Sequence, residues 1–182
     1  LIAYPDHLTR TGERPLQTLA HWCRSRLRDV ISAVHVLPFH PSTSYEGYAI
    51  TDYSAVDPRL GSWADLDALG EDFEGMVDLV LNHCSSRHPW FSQFLRGEEP
   101  GRRYFIEVSD PRAPWLDAVA RARNVPLLHP VATVGGERHV WTTYSPDLVD
   151  LNWREPDVCV EFLGLLLESV ARGARWVRLD AF

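Results

Sequence analysis

The sequence predicts an α/β fold, because short apolar runs typical of strands alternate along the chain with segments of helical periodicity. The run from residue 76 to 81 (MVDLVL) is apolar almost throughout, as strands buried on both faces of a parallel sheet are. After Pro15 the apolar side chains recur at helical spacing, and proline suits the first turn of a helix. The 182 residues, 45% of them hydrophobic, are enough to bury a sizeable core.

Four strands and three helices can be placed in chain order. Helices are predicted after Pro15, after Ser62, which can cap the first turn together with Asp65, and after Glu155, with Gly173 at the end of the last helix. The strands are predicted at residues 1–4, 33–39, 76–81 and 176–180. This order alone fits either half of a (β/α)8 barrel or part of an open, doubly wound sheet. A dinucleotide-binding fold has no support, because no GxGxxG motif follows the first strand.

Composition excludes several classes of protein. The chain has 18 Lys+Arg against 25 Asp+Glu, a net charge of −7, which argues against binding nucleic acid or anionic membranes. It holds no apolar run of membrane-spanning length, and its first residues lack the basic and apolar regions of a signal peptide. Without an initiator Met, we expect it to be part of a longer chain. The three cysteines form no CxxC pair, which predicts reduced thiols in a cytoplasmic protein.

Polar side chains follow the predicted strands. His40, His83 and Asp180 come where strands end, which is where α/β barrels place reactive residues. Arg178 and Asp180 are two residues apart and therefore point to the same face of their strand. An arginine beside an aspartate keeps the carboxylate ionised, so the pair is either a nucleophile held for catalysis or a structural ion pair. His83 is likewise either a pocket residue or a hydrogen-bonded structural histidine.

In the loop of residues 44–53, Tyr45 and Tyr48 lie on either side of Gly47. A tyrosine there is either a flat platform for the face of a sugar ring or a residue that packs the loop onto the sheet. The eight histidines show no HxH or HxxxH spacing, so no metal site is predicted.

Several segments, in order along the chain, resemble conserved stretches of the α-amylase superfamily, glycoside hydrolase family 13. These are residues 47–57 (GYAITDYSAVD), 78–83 (DLVLNH) and 178–180 (RLD). Other segments are similar to the sucrose phosphorylase branch of that family, and together the matches cover essentially the whole chain. The further segments are 1–4, 34–39 (VHVLPF), 56–63 (VDPRLGSW), 141–145 (WTTYS), 149–152 (VDLN) and 173–181 (GARWVRLDA).

The resemblance implies a (β/α)8 barrel, of which this chain holds the first four strands, with a small B domain inserted after the third. Residues 1–83 are then the first part of the barrel, 84–146 the B-domain insertion and 147–182 the continuation of the barrel. The resemblance also implies a mechanism that retains configuration at the sugar carbon of an α-glucoside.

The resemblance assigns roles to individual residues. Asp180 matches the nucleophile that forms a β-glucosyl–enzyme ester, and Arg178 matches the arginine that holds that carboxylate. His83 would hydrogen-bond sugar hydroxyls, and Tyr48 would stack on the sugar ring. Arg123 resembles an arginine of the B-domain loop that lies near the phosphate or acceptor.

A retaining enzyme also needs a second carboxyl group as acid and base, about 5–5.5 Å from the nucleophile. The family places this glutamate after the fifth strand and a third carboxylate after the seventh, and this chain reaches only the fourth. We therefore expect the 182 residues by themselves to be inactive, with the edges of the first and fourth strands unpaired.

Two positions depart from the sucrose phosphorylase pattern. Tyr45 stands where that branch usually has an aspartate that grips the terminal glucose, and endo-acting amylases also carry a tyrosine there. Leu148 stands where the branch usually has a glutamine. Both changes remove polar contacts from a sugar pocket, which disfavours sucrose as the donor.

The expected function is that of a sucrose phosphorylase-like enzyme, which moves a glucosyl group from an α-glucoside to inorganic phosphate. Two alternatives stay open: an α-amylase-type hydrolase or transglycosidase, and a degenerate sugar-binding paralogue without activity. We expect no cofactor. We also expect no calcium, because the B-domain segment lacks a carboxylate cluster that would complete a site with the asparagine before His83.

Overall fold

A computed structural model describes residues 1–120 and 124–181 of the chain. The strands of these residues, in chain order, are β1 (Ile2–Ala3), β2 (Ala33–Val36), β3 (Glu74–Val80), β4 (His83–Ser85), β5 (Leu128–Thr133), β6 (Gly136–Trp141), β7 (Leu148–Asp150) and β8 (Ala174–Asp180). The α-helices are α1 (Pro15–Leu27), α2 (Trp63–Gly70), α3 (Pro89–Arg96) and α4 (Pro156–Ala171), with short 3-10 helices at Gly101–Arg103 and Pro114–Ala118.

Four strands form one parallel sheet in the order β1-β2-β3-β8. The pairing of β3 with β8 sets Asp78 opposite Arg178 and Val80 opposite Asp180. The parallel arrangement confirms the α/β prediction. Because all four strands run the same way, their carboxyl ends meet at one edge of the sheet, where residues from distant parts of the chain come together.

The helices begin where the sequence predicts. Helix α2 follows Ser62, and the carboxylate of Asp65 accepts hydrogen bonds from the Ser62 backbone N–H (2.7 Å) and hydroxyl (2.8 Å). The other oxygen of Asp65 accepts from the side chain of Gln17 on α1 at 2.9 Å, so one aspartate caps α2 and joins it to its neighbour. Gly173, which follows α4, has φ of +91°, as expected for the residue that ends a helix.

Residues 84–146 contain the short strands that the sequence predicts and also a helix that it does not. Helix α3 begins at Pro89, and the preceding His88 caps it, since Nδ1 of His88 accepts a hydrogen bond from the Trp90 backbone N–H at 3.1 Å. It ends at Gly97, where φ is +68°. With only eight residues, α3 is too short to show a sustained helical period.

Two antiparallel pairs accompany the parallel sheet: β4 with β7, and β5 with β6. Strand β4 begins at His83 and pairs with Asp150 on β7, so it crosses the expected boundary after residue 83 and joins the two ends of the inserted segment.

The buried side chains form two apolar clusters. One lies between the parallel sheet and helices α1 and α2, and includes Leu16, Val34 and Phe73. The other joins the far side of β3 to the inserted segment and α4, and includes Val80, Phe105 and Phe162. The inserted segment therefore shares a core with the sheet.

The outer strand of the sheet and one side of its neighbouring helix are exposed and apolar. Trp176 and Leu179 on β8 are exposed, as are Val160, Leu163 and Leu167 on α4. Among the described residues, no helix combines the length and the apolar character needed to cross a membrane.

The buried cap of α3 predicts a pH-dependent stability. Burial lowers the pKa of His88 to about 4, against about 6.5 in an unfolded chain. The unfolded state then binds more protons, so the free energy of unfolding is largest above pH ~6.5 and falls by about 2 kcal/mol as the pH drops to ~5. His83, whose pKa burial also lowers to about 4, adds to the same trend.

The test compares urea unfolding of the complete gene product at pH 7.5 and pH 5. His88→Asn keeps a capping acceptor and removes the titrating ring, so we expect it to lose less stability at pH 5 than the parent does. His7→Asn, the same change at an exposed histidine, is the matched control. Equal losses in the parent and in His88→Asn would contradict the prediction.

Candidate active site

An ion pair lies at the carboxyl edge of the parallel sheet. Asp180 is the last residue of β8, and its Oδ1 lies 2.5 Å from Nη2 of Arg178 on the same strand. Their pairing confirms the prediction that both side chains point to one face. The side chain of Asp180 is 15% exposed and that of Arg178 is 42% exposed, so the pair is open to solvent on one side.

The other half of the Arg178 guanidinium turns toward two further residues. Its Nη1 donates to Oδ1 of Asp78 at 3.1 Å and to the Tyr48 hydroxyl at 3.3 Å. The hydrogen bond to Tyr48 and the carboxylates of Asp78 and Asp180 raise the pKa of Arg178 above its usual value. Arg178 therefore stays positively charged while it connects a strand end, a strand interior and a loop.

Tyr48 reaches Arg178 because Gly47 lets the loop pass close to the end of β2. Gly47 has φ of +85°, and a Cβ on it would lie only 2.8 Å from the backbone oxygen of Pro38. No residue with a side chain fits that position without moving the loop. Partial burial raises the pKa of Tyr48, so its hydroxyl keeps its proton.

Tyr45 does not join this group. Its side chain is 99% exposed and lines a neighbouring cavity of about 330 Å³, together with Tyr4 and Glu46. Of the two tyrosines beside Gly47, the structure brings only Tyr48 to the ion pair.

His83 is buried beside Tyr48. Burial lowers its pKa to about 4, with the backbone of Tyr48 acting in the opposite direction, so the ring is neutral at pH 7. Its Nε2 has no hydrogen-bond partner among the described residues, although a buried ring nitrogen normally has one. The ring also makes an edge contact with Tyr144, with the centroids 5.4 Å apart.

The backbone that carries His83 is fixed by a buried tyrosine. The hydroxyl of Tyr53 lies 2.9 Å from the backbone oxygen of His83 and 3.2 Å from that of Val80, and can donate to both. It thereby ties the end of β3 to the start of β4, where the chain turns.

Two polar residues of the site were missed in the sequence. Asp78 and His35 lie inside strands, and Nε2 of His35 lies 3.1 Å from Oδ1 of Asp78. Burial raises the pKa of Asp78, while the neighbouring His35 and Arg178 act in the opposite direction. A sequence signal existed, because each is a lone polar residue within an apolar run, VHV and VDL.

The structure gives His40 a different role. His40 is buried at the end of β2, where its Nδ1 lies 2.8 Å from the backbone oxygen of Ala55 and its ring packs on Phe39, so it supports the loop. Arg123 lies outside the described residues. Within residues 1–120 and 124–181, no three His, Cys, Asp or Glu side chains are arranged to hold a metal ion.

The arrangement suits chemistry at a carbon that becomes positively charged. A carboxylate held by a protonated arginine offers a negative charge in a fixed position, and a neutral histidine and a tyrosine ring lie close by. Such a carboxylate can act as a nucleophile or stabilise a developing cation.

Fold and site place the chain in a known class. The family model described as alpha amylase, catalytic domain, matches residues 30–182. The chain therefore belongs to this family, and the predicted resemblance is confirmed.

Two similar proteins are glycoside phosphorylases. The chain is 48% identical over 181 residues to glucosylglycerate phosphorylase of Allomeiothermus silvanus, covering 100% of this chain and 32% of that protein. It is 31% identical over 197 residues to sucrose phosphorylase of Agrobacterium vitis, covering 100% of this chain and 38% of that protein. The chain thus spans about a third of the length of the curated relatives it matches.

A solved structure of similar fold supports the barrel assignment. The crystal structure of sucrose 6F-phosphate phosphorylase from Thermoanaerobacter thermosaccharolyticum superposes with a TM-score of 0.88 at 29% identity, covering 99% of this chain and 38% of that one. The predicted fold class, part of a (β/α)8 barrel, is confirmed.

The Tyr53 contacts predict a specific loss of stability. Tyr53→Phe removes the donor shared by two buried carbonyl oxygens, so we expect the free energy of unfolding to fall by about 1–2 kcal/mol. Tyr104→Phe is the matched control, because Tyr104 is also buried but, among the described residues, its hydroxyl makes a single long contact, with Glu161 at 3.5 Å. Urea unfolding of the complete gene product measures both, and equal losses would refute the assignment.

Proposed function

We propose that this chain belongs to a glycoside phosphorylase that moves a glucosyl group from glucosylglycerate, an α-glucoside, to inorganic phosphate. The proposal rests first on 48% identity over the full chain to a glucosylglycerate phosphorylase. The ion pair of Arg178 with Asp180 supports it, because it supplies a fixed carboxylate at the edge of the sheet where barrel enzymes react.

In the proposed reaction Asp180 is the nucleophile. Its carboxylate attacks the anomeric carbon of the glucoside, the bond to the leaving oxygen breaks, and that oxygen takes a proton from an acid. The family resemblance places this acid on a glutamate after a fifth strand, outside these 182 residues. A phosphate oxygen then attacks the same carbon and gives its proton back to that acid group, the ester bond breaks, and Asp180 returns to a carboxylate as glucose 1-phosphate is released. Two displacements retain the α configuration.

The neighbours of Asp180 have separate roles in this proposal. Arg178 stabilises the negative charge of the carboxylate and fixes its direction. The unpaired Nε2 of His83 is suited to a sugar hydroxyl, since a ligand atom would supply the missing hydrogen bond. The ring of Tyr48, held at its hydroxyl by Arg178, is suited to stack on the sugar.

The proposal also includes roles for two more residues, the domain boundaries and the cellular location. Arg123 contacts the phosphate or acceptor, and Tyr45 contacts substrate at the exposed rim of the site. Residues 84–146 form a B domain, with barrel segments at 1–83 and 147–182. We place the enzyme in the cytoplasm, where thiols stay reduced, because all three cysteines are unpaired.

Glucosylglycerate is favoured over sucrose as the donor for two reasons. Three glucosylglycerate phosphorylases are 40–48% identical to the chain, against 28–31% for the sucrose phosphorylases. Tyr45 and Leu148 also replace the polar residues that sucrose phosphorylases usually carry, and a pocket without those contacts binds that donor less well.

The test is a donor panel given to the complete gene product. Glucosylglycerate, glucosylglycerol and sucrose are each incubated with and without inorganic phosphate, and glucose 1-phosphate and free glucose are quantified. We expect phosphate-dependent glucose 1-phosphate, fastest from glucosylglycerate. Free glucose without phosphate dependence would favour a hydrolase, and no product from any donor would favour a degenerate paralogue.

The nucleophile is tested by a carboxylate-to-amide pair. Asp180→Asn should lower kcat by about 10³-fold or more, because the amide cannot form the ester. Asp117→Asn, the same change at an exposed aspartate, should leave kcat unchanged. The 182 residues alone should give no product, since the acid is missing. Activity retained in Asp180→Asn would exclude Asp180 as the nucleophile.

A further inference from the structure

We infer that His35 is a positioning residue for the reaction, one that directs Asp180 through Asp78 and Arg178. The inference rests on the proposed role of Asp180 as the nucleophile. His35 does not touch Asp180, so its action has to pass through the two residues between them.

The contacts form an unbroken chain across three strands. Nε2 of His35 on β2 lies 3.1 Å from Oδ1 of Asp78 on β3. The same Oδ1 accepts from Nη1 of Arg178 on β8 at 3.1 Å, and Nη2 of Arg178 lies 2.5 Å from Oδ1 of Asp180. Since β2, β3 and β8 are adjacent in the sheet, each link joins neighbouring strands or two residues on one face of a strand.

Because Asp78 is buried, its carboxylate depends on both of its hydrogen-bond partners, His35 and Arg178. The side chain of Asp78 is 0% exposed and that of His35 is 7% exposed. A buried carboxylate is costly unless it is paired, and both partners of Asp78 meet it at the same oxygen. Its other oxygen, Oδ2, has no partner among the described residues. Without His35, Arg178 is the one remaining side-chain partner of this carboxylate among those residues.

The shape of the Arg178 side chain transmits a change at Asp78 to Asp180. The guanidinium is rigid and planar, so its two terminal nitrogens cannot move independently. Nη1 is held by Asp78 and by the neutral Tyr48 hydroxyl, while Nη2 meets Asp180. If Asp78 turns or takes a proton, Nη1 loses its charged anchor, and rotation of the plane shifts Oδ1 of Asp180. A displacement of about 1 Å in a reacting group is enough to slow a reaction by about 10²-fold.

Kinetics of the complete gene product test this inference. His35→Leu removes the N–H donor, and we expect kcat for formation of the glucosyl–enzyme to fall about 10–100-fold with KM changed less than about threefold. His35→Gln places an amide N–H close to the position of Nε2, so it should restore kcat to within about threefold of the parent. The donor is α-glucosyl fluoride, which reports attack by the nucleophile in a phosphorylase and in a hydrolase alike.

A matched variant separates positioning from folding. His88→Leu makes the same change at a histidine that is equally buried but caps α3 through the Trp90 backbone N–H. We expect it to keep the kcat of the parent even where it lowers stability. Equal losses of kcat in both leucine variants, or no rescue by His35→Gln, would overturn the inference.

Crystal structures of the parent and of His35→Leu allow the role of His35 to be judged separately from the proposed phosphorolysis. If the parent turns over α-glucosyl fluoride but makes no glucose 1-phosphate, phosphorolysis fails and the inference stands on the kinetics. If the parent is inactive on every donor, the inference is judged by the rotation of the Arg178 guanidinium. An unchanged Arg178–Asp180 contact in His35→Leu would then overturn it.

Discussion

The division of one guanidinium between two carboxylates is the interaction on which the site depends. Arg178 meets Asp180 with one terminal nitrogen and Asp78 with the other. Two acidic side chains this close repel each other, and the buried one pays a large desolvation cost, so the arginine has to satisfy both. That requirement fixes the neighbouring strands: β3 and β8 must be parallel and in the observed register, with Asp78 opposite Arg178.

Backbone contacts position the loops around the site. Gly47 allows the loop to pass within reach of Pro38, and this approach delivers Tyr48 to Arg178. Tyr53 holds the carbonyl groups on either side of the turn that presents His83. Both residues that we propose for sugar contact are therefore positioned by backbone contacts of neighbouring residues.

Part of the site was visible in the sequence and part was not. Arg178 and Asp180 lie two residues apart, so the period of a strand alone places them on one face. Asp78 and His35 were missed although each is a lone polar residue in an apolar run, and their partners lie 100 and 43 residues away along the chain. No local pattern reveals which distant strand supplies a partner. The exposure of Tyr45 was hidden for the same reason, since the path of its loop depends on packing against β2.

The sequence by itself determined the fold class, the order of the strands and the starts of α1, α2 and α4, because these follow from periodicity and from capping residues within a few positions. It also carried the family resemblance, since the matching motifs are short and local. Only the tertiary structure decided the neighbours of β3, the buried chain from His35 to Asp180, and helix α3. Those features depend on contacts between distant segments. Helix α3 is too short to be recognised from its periodicity, and burial of two aromatic residues, Phe91 and Phe94, stabilises it.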